Sequence, residues 1–481
     1  MTGAAGLPDL AGIVDRALAA ASAATAVPTD DVVVLASTTS EANLRWANTT
    51  VTTNGTSESL SWTVVSVVGG ATGTASGSVV DLGSPDGIEA VVRRSAEAAR
   101  AAAAAGPSRD AASLVRPEEA GGSDAGWDAA PARTDFDVYR PLLDGLDRAF
   151  DAVRSADQVL YGFARHEVST TCLGTSTGLR RRWVQPTGTL ELNAKSADLS
   201  RSAWSGTSTA DFADVDAAAV VAATAALQQR LDWARRRIEL PAGRYDTVLP
   251  PTAVADFMVY LLWSAGARAA AEGHSAFSAP GGGTRIGERL TGLPLTLSSD
   301  PALPGLETAP FVLAGASGVD IAVFDNGAPV PRLDLVRDGT VAGLATTRRF
   351  AADAGLPFTP ATDNVALTGG EDGCTAADLA GSLDRGLLVT SQWYLREVDP
   401  MTLLLTGLTR DGVFLVERGE IVGAVTNYRF NMSPLDVLRQ AARVGTTERT
   451  LSREWSDWFT RSAMPPVLVE GFNMSSVSQA Q

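Results

Sequence analysis

The chain has 481 residues, 45% apolar and 20% charged, enough to bury more than one sizeable core, so two or three domains are expected. Its formal net charge of −16 disfavours nucleic-acid phosphate and anionic lipid, which excludes nucleic-acid and membrane-surface partners from the expected functions. Cys172 and Cys374 are too few for a disulfide framework, so the N-x-S/T sequences at Asn48, Asn54, Asn431 and Asn473 carry no glycan meaning. Lys195 is the single lysine, a bias that fits a GC-rich coding sequence rather than a selected basic surface. The first residues offer no basic segment ahead of an apolar core, and no apolar run approaches the roughly 20 residues a bilayer needs. A soluble, cytoplasmic protein is expected.

Taken in order, residues 7–25 have the period of an amphipathic helix. Residues 31–80 switch to short β-branched runs, four predicted strands separated by turn residues such as Thr53-Asn54-Gly55, and a helix follows from Ile88 to Ala105. These make an N-terminal α+β domain over 1–107. Residues 108–134 lose periodicity and gain Gly, Pro, Ser and acids, as a linker or surface loop does. A middle α+β domain, 135–240, holds a helix, three predicted strands over 158–195 and a closing helix from Val215 to Arg237. Residues 241–481 form a large β-rich domain, barrel- or sandwich-like, that opens with the strand "RYDTVLPP" and an apolar helix from Pro251. Later, Ser433 and Pro434 predict a helix start and Gly445 its end, and a last strand follows Pro465-Pro466. The fold class is α+β.

Three motifs invite catalytic readings. His166-Glu167 has the letters of a zinc helix, but the next-turn ligand position holds Thr170 or Thr171, the segment is strand-like, and His274 is the only other histidine. "GTSTG" (174–178) spells a serine elbow around Ser176, but strand rather than helix follows, so a hairpin loop explains it. Cys172 beside His166 reads as a buried strand thiol. "SAPGGGTRIGERL" (278–290) lacks both a lysine and the strand-to-helix setting of a phosphate loop. The arginine runs 180–182 and 235–237 read as a strand edge and a helix C-terminus. No catalytic residue is therefore assigned.

The stretches 166–206, 273–301 and 464–481 together resemble the TldD/PmbA family, most closely its TldE (PmbA) branch, and the resemblance extends over nearly the whole chain. It implies a heteromeric peptidase in which a TldD-like subunit carries zinc on an HExxxH helix, completed by a later cysteine. The TldE-like subunit of that pair is metal-free and helps to enclose the substrate. In this chain the equivalent helix lies just before "SAFS" and presents Phe257, Met258, Val259, Leu262 and Trp263 in place of ligands. No histidine occurs between Pro251 and Gly273, and no cysteine follows Cys374. The resemblance thus implies no zinc in this chain and Zn on a TldD-like partner, in a heterodimer or higher hetero-oligomer.

The leading expectation is a non-catalytic subunit shaping a peptidase chamber for flexible or modified peptides, in proteolysis or leader-peptide removal. The strands 187–195 and 467–477 are expected to line that chamber, with His166, Glu167, Asn193, Lys195, Asn473 and Ser475 as lining residues. Two alternatives stand beside it. One is a stand-alone natural-product tailoring hydrolase using His166, Cys172 or Ser176. The other is a homodimeric peptide-binding module without protease activity.

Overall fold

Two long strands of the first sheet run without a break through positions where the sequence pattern predicts one. The computed structural model describes residues 9–23, 26–121 and 126–478. Its first strands are β1 (Asp31–Ala47), β2 (Thr50–Val68), β3 (Ala71–Gly77), β4 (Gln158–Thr175), β5 (Arg180–Ser196) and β6 (Ser202–Thr209). They form one antiparallel sheet in the order β3-β2-β1-β4-β5-β6. Because β1 pairs with β4, the sheet is continuous across residues 108–134, and the N-terminal and middle units share it.

The strand count differs from expectation, for local reasons. Residues 31–80 hold three strands, not four, because the first two predicted runs merge into β1, and the turn predicted at Thr53-Asn54-Gly55 does not form. Those three residues lie inside β2, with Asn54 opposite Leu44. The turn falls at Asn48-Thr49, both with left-handed φ (48° and 61°), as a two-residue hairpin requires. The middle unit's second and third predicted strands are likewise the single strand β5. Pro186 is tolerated within it because β6 pairs only with 188–195, leaving Pro186 on an edge stretch.

Helices cover one face of this sheet. α1 (Leu10–Ser22), the short α2 (Val79–Leu82) and α3 (Gly87–Ala103) lie at one end, α4 (Arg140–Ser155) and α5 (Ala217–Trp233) at the other. Of the helix predicted over 7–25, residues 7, 8, 24 and 25 fall outside the described residues. The even-numbered side chains of β1 and β4 point to the helices: Val34, Ala36 and Cys172 pack on Ile13 and Val91, while Leu44 and Leu160 pack on Leu142 and Leu227. The odd-numbered set faces the C-terminal region, where Val33 and Leu173 meet Val323 and Phe324.

Described residues of 108–134 contain neither helix nor strand, yet part of the segment is anchored. Leu114 and Val115 are buried against that second face, and Asp110 pairs with Arg268 and Thr347.

The C-terminal region has two sheets, one of ten strands and one of six, mixed in direction and both open, so it is not a barrel. α6 (Pro251–Trp263) is buried among residues of both: Val254, Phe257, Met258 and Leu261 are fully buried with Leu297 and Val365 of one sheet and Val389 and Phe472 of the other. Each such side chain contributes about 1.5–3 kcal/mol relative to exposure. The helix begun by Ser433 ends at Arg439, well before Gly445, because residues 441–444 pair with the last strand, Val467–Val477. No helix among the described residues is long and apolar enough to cross a membrane.

A close backbone contact in the first sheet lies where β3 meets α3: a Cβ on Gly73 would collide with the backbone of Ser95 to Ala99. Gly73→Ala is expected to lower stability by about 3 kcal/mol through overpacking; denaturant unfolding of the two proteins checks it, and an unchanged midpoint would contradict this packing.

Candidate functional site

Beyond Leu173 the odd-numbered face of the first sheet turns polar. Ser37 and Thr171 hydroxyls meet at 2.9 Å, as do those of Thr39 and Ser169, and Arg165 bridges Glu41 (3.2 Å) and Glu167. Burial raises the pKa of Glu167, opposed by Arg165 and assisted by Glu41. Further along, this face opens into a cleft of about 1250 Å³ closed on its far side by the end of α6, the strand Gln392–Asp399 and the loop 453–458.

Six of the chain's ten tryptophans touch that cleft: Trp46, Trp204, Trp263, Trp393, Trp455 and Trp458. Trp458 is 73% exposed, so its ring is presented to solvent rather than to the core. Cations lie over the rings: Arg453 is 5.2 Å from the centre of Trp204 and 5.5 Å from that of Trp393, Arg396 is 4.3 Å from Tyr394, and Lys195 is 5.2 Å from Tyr161. Arg453 is further tied to Asp411 and to Ser391 Oγ (2.7 Å), which locks it in place.

The strand Gln392–Asp399 is an edge of the ten-stranded sheet. Two of its consecutive backbone N–H groups, at Tyr394 and Leu395, donate not to another strand but to the Glu454 carboxylate, at 2.7 and 3.0 Å. Tyr394 has a left-handed φ of 61°, which breaks the ladder at this point. One carboxylate thus stands in for part of a neighbouring strand, in the way edges are protected from pairing.

Asp256 holds the loop that carries Glu454. Fully buried in α6, it accepts Ser452 Oγ–H at 2.6 Å and Glu454 N–H at 3.0 Å, and its carbonyl accepts Trp455 Nε1–H at 2.8 Å. Burial pushes its pKa up to about 7 against these two bonds.

The predicted site residues do not all converge. Asn193 and Lys195 lie in the wall of the cleft, and Glu167 lines a small extension that shares Phe163, Glu191, Ser456 and Asp457 with it. His166 points the other way, buried on the helix side of the sheet. Its Nε2–H donates to the Ala210 carbonyl (2.9 Å), which leaves Nδ1 to accept from Thr134 Oγ1 (2.6 Å); burial lowers its pKa, so it is neutral and fully engaged. Asn473 and Ser475 sit on Val467–Val477, away from the cleft, where Ser475 Oγ donates to Arg429 O (3.1 Å). Neither expected strand supplies a free edge there: residues 188–195 pair with β4 and β6, and Val467–Val477 pairs with Gly243–Leu249 as far as Met474 on one side and with residues 441–444 and 428–430 on the other. The edge at the cleft is Gln392–Asp399.

The serine and thiol readings have no geometry. His166 and Ser176 lie on one strand line ten residues apart, roughly 33 Å. Ser176 Oγ donates to Asp31 (2.8 Å) and accepts from Val32 N (3.1 Å) in the β4–β5 loop. Burial pushes the Cys172 thiol up to about 11, so it is not a thiolate near neutral pH. Nor do the described residues fit zinc: no three His, Cys, Asp or Glu side chains converge, and α6 presents apolar side chains at the positions in question. Sequence reasoning missed Trp204, Trp393, Tyr394, Arg453 and Glu454; the signal within reach was the tryptophan-rich "REWSDWF" near the C-terminus.

A family model described as "PmbA/TldA metallopeptidase C-terminal domain" matches residues 242–476, and one described as "PmbA/TldA metallopeptidase domain 1" matches 32–99. Among solved structures, TldE from Thermococcus kodakarensis superposes with a TM-score of 0.74 at 16% identity, covering 97% of this chain and 99% of that one. A protein from Bacteroides thetaiotaomicron, provisionally described as a modulator of DNA gyrase, gives 0.73 at 13% identity, covering 97% and 98%. One from Thermotoga maritima with the same description gives 0.69 at 18%, covering 96% and 99%. At these identities the likeness establishes the fold. No curated protein matches by sequence.

The Asp256 carboxyl gives a pH signature. Its pKa rises from an ordinary 3.8 to about 7 on folding, so the protonated form stabilises the fold below about pH 4, and that contribution is lost as pH rises through 7. Asp256→Asn keeps the accepting oxygen and removes the titration. Between pH 4 and pH 8 the wild type is expected to lose stability relative to this variant, by roughly 4 kcal/mol at most. Calorimetric melting of both across that range checks it, and a pH-independent difference would contradict it.

Proposed function

Because the chain belongs to the PmbA/TldD family, we propose that it is a metal-free, TldE-like subunit that holds extended peptide and is completed as a peptidase by a zinc-bearing, TldD-like partner. The observation that carries this reading is the character of α6. Where the family resemblance locates zinc ligands, the helix presents Phe257, Met258, Val259, Leu261 and Leu262, all buried between two sheets. A ligand helix needs two or three donors on one face that opens to substrate and water. This chain therefore binds no zinc and cleaves no peptide alone. The partner supplies the metal and the activated water; this chain supplies shape and grip.

The cleft suits that role. Extended peptide is held by main-chain hydrogen bonds along a strand edge and by aromatic surfaces that accept many side chains, which gives affinity with little sequence preference. The strand Gln392–Asp399 and the rings of Trp393, Tyr394, Trp455 and Trp458 provide both elements along one cleft. Glu191, Glu454 and Asp457 among the cations give the wall both signs of charge, which suits a polar backbone rather than a polyanion. A cytoplasmic setting, where thiols stay reduced, accords with two free cysteines. Proteolysis of unfolded peptide and removal of leader peptides both fall within this chemistry.

Coexpression with a TldD-like protein of the same organism tests the reading. The two are expected to copurify, and an unstructured peptide is expected to be cut by the pair and by neither chain alone. Trp393→Ala is expected to leave the complex intact and to raise KM for that peptide about tenfold. A chain that ignores the partner, or that hydrolyses peptide by itself, would contradict the proposal.

A further inference from the structure

On the other side of Trp204 lies a second, separate cavity of about 530 Å³, the size of pockets that hold small organic ligands. Its wall is built from α5, the start of α6, and the helix Ala376–Gly381, and most of it is apolar or aromatic: Trp204, Trp233, Ala226, Ala380, Leu388 and Ile421. Trp233 is fixed edge-on to Phe414 with ring centres 5.3 Å apart, so that wall is rigid.

Into this apolar cavity comes one guanidinium, that of Arg230, in the last turn of α5. Its Nη1 donates to the Trp204 carbonyl at 2.8 Å. Among the described residues no carboxylate lies within ion-pair distance of it, and burial lowers its pKa with no opposing acid. A guanidinium has five N–H donors and keeps its charge at any physiological pH. Other arginines in comparable surroundings are paired: Arg268 with Asp110, Arg348 with Asp325, Arg453 with Asp411. Glu420 and Glu448 also line the cavity, each with a large part of its surface in solvent; burial of the Glu448 carboxyl raises its pKa with no cation opposing it, and neither acid forms an ion pair with Arg230. A partly buried cation without a counter-charge is costly in a fold, and the missing partner has a defined shape: a planar carboxylate that accepts two parallel N–H bonds.

We propose that this cavity is a binding site for an apolar or aromatic carboxylate, with Arg230 pairing the carboxylate and Trp233 and its neighbours enclosing the apolar body. The ligand is a small free acid or the C-terminal residue of a peptide; both offer the same chemistry. The site is distinct from the cleft and does not depend on the peptidase reading.

Isothermal titration calorimetry on the full chain tests it with three probes: N-acetyl-phenylalanine, its neutral amide, and a hexapeptide ending in phenylalanine with a free carboxylate. The acid is expected to bind saturably and the amide at least about tenfold more weakly. Arg230→Gln is expected to weaken the acid by a similar factor. Ala226→Trp, which fills the cavity from an exposed helix position, is expected to abolish binding even if the arginine variant folds poorly. Trp393→Ala, in the cleft, is expected to leave binding unchanged. Binding of the hexapeptide as well would identify the site as a reader of peptide C-termini; binding of the small acid alone would identify it as a metabolite site. Absence of saturable binding by the acid, equal binding of acid and amide, or full retention in Ala226→Trp would overturn the proposal.

Discussion

α6 is enclosed on nearly all sides by apolar side chains from two sheets, and the C-terminal half is organised around that burial. A helix in such a position joins the sheets by filling the space between them, so its residues are chosen by volume and not by chemistry. Its one buried acid, Asp256, bonds Ser452 and the backbone of Glu454 and so turns the helix into an anchor for a loop. Through that loop the burial of α6 reaches the cleft: Glu454 meets the edge strand and Trp455 packs edge-to-face with Trp263. A site for a metal and a well-packed anchor make opposite demands on the same helix face, and the face of α6 carries packing residues.

The same organisation explains why the cleft is built for holding. Its cations are bound to aromatic rings or to buried acids, and its acids accept hydrogen bonds from indole and backbone, as Glu191 does from Trp204 (3.0 Å) and Glu454 from Tyr394 (2.7 Å). Groups so engaged keep fixed positions, which suits a wall that holds rather than moves. His166, the one buried histidine among the described residues, spends both nitrogens on Thr134 and Ala210, on the far face of the sheet. What remains accessible is a set of rings and the part of the strand edge that Glu454 leaves uncovered, and the proposed hold on extended peptide rests on these two features.

Much of this was legible in the residues. The long helices, the α+β class and the apolar nature of α6 follow from period and composition, while the short helices Ala267–Ala271, Arg348–Ala354 and Ala376–Gly381 do not, and the family resemblance rests on stretches that the matched domains partly include. The misreadings share one cause, tertiary contacts overriding local preference. Asn54-Gly55 is a better turn than Asn48-Thr49 by composition, but Thr49 is held in its left-handed conformation by bonds to Leu160 and Arg154, far off in sequence. Gly445 looks like a helix end, yet residues before it are claimed by the final strand. The cleft was the least legible part, because Trp204, Trp263, Trp393 and Trp455 come from four separate segments and only the fold assembles them. Side-chain direction also escaped: His166 and Glu167 are neighbours in sequence but face opposite sides of the sheet.

Metal content is the most direct test of the idea that α6 is an anchor and not a ligand platform. The chain, purified alone from zinc-supplemented cells and passed through a desalting column, should carry well under about one-tenth of a zinc ion per molecule by mass spectrometry of the element, since tight protein sites hold about one per chain. One tightly held transition-metal ion per chain, retained on dilution and lost on unfolding, would contradict the account.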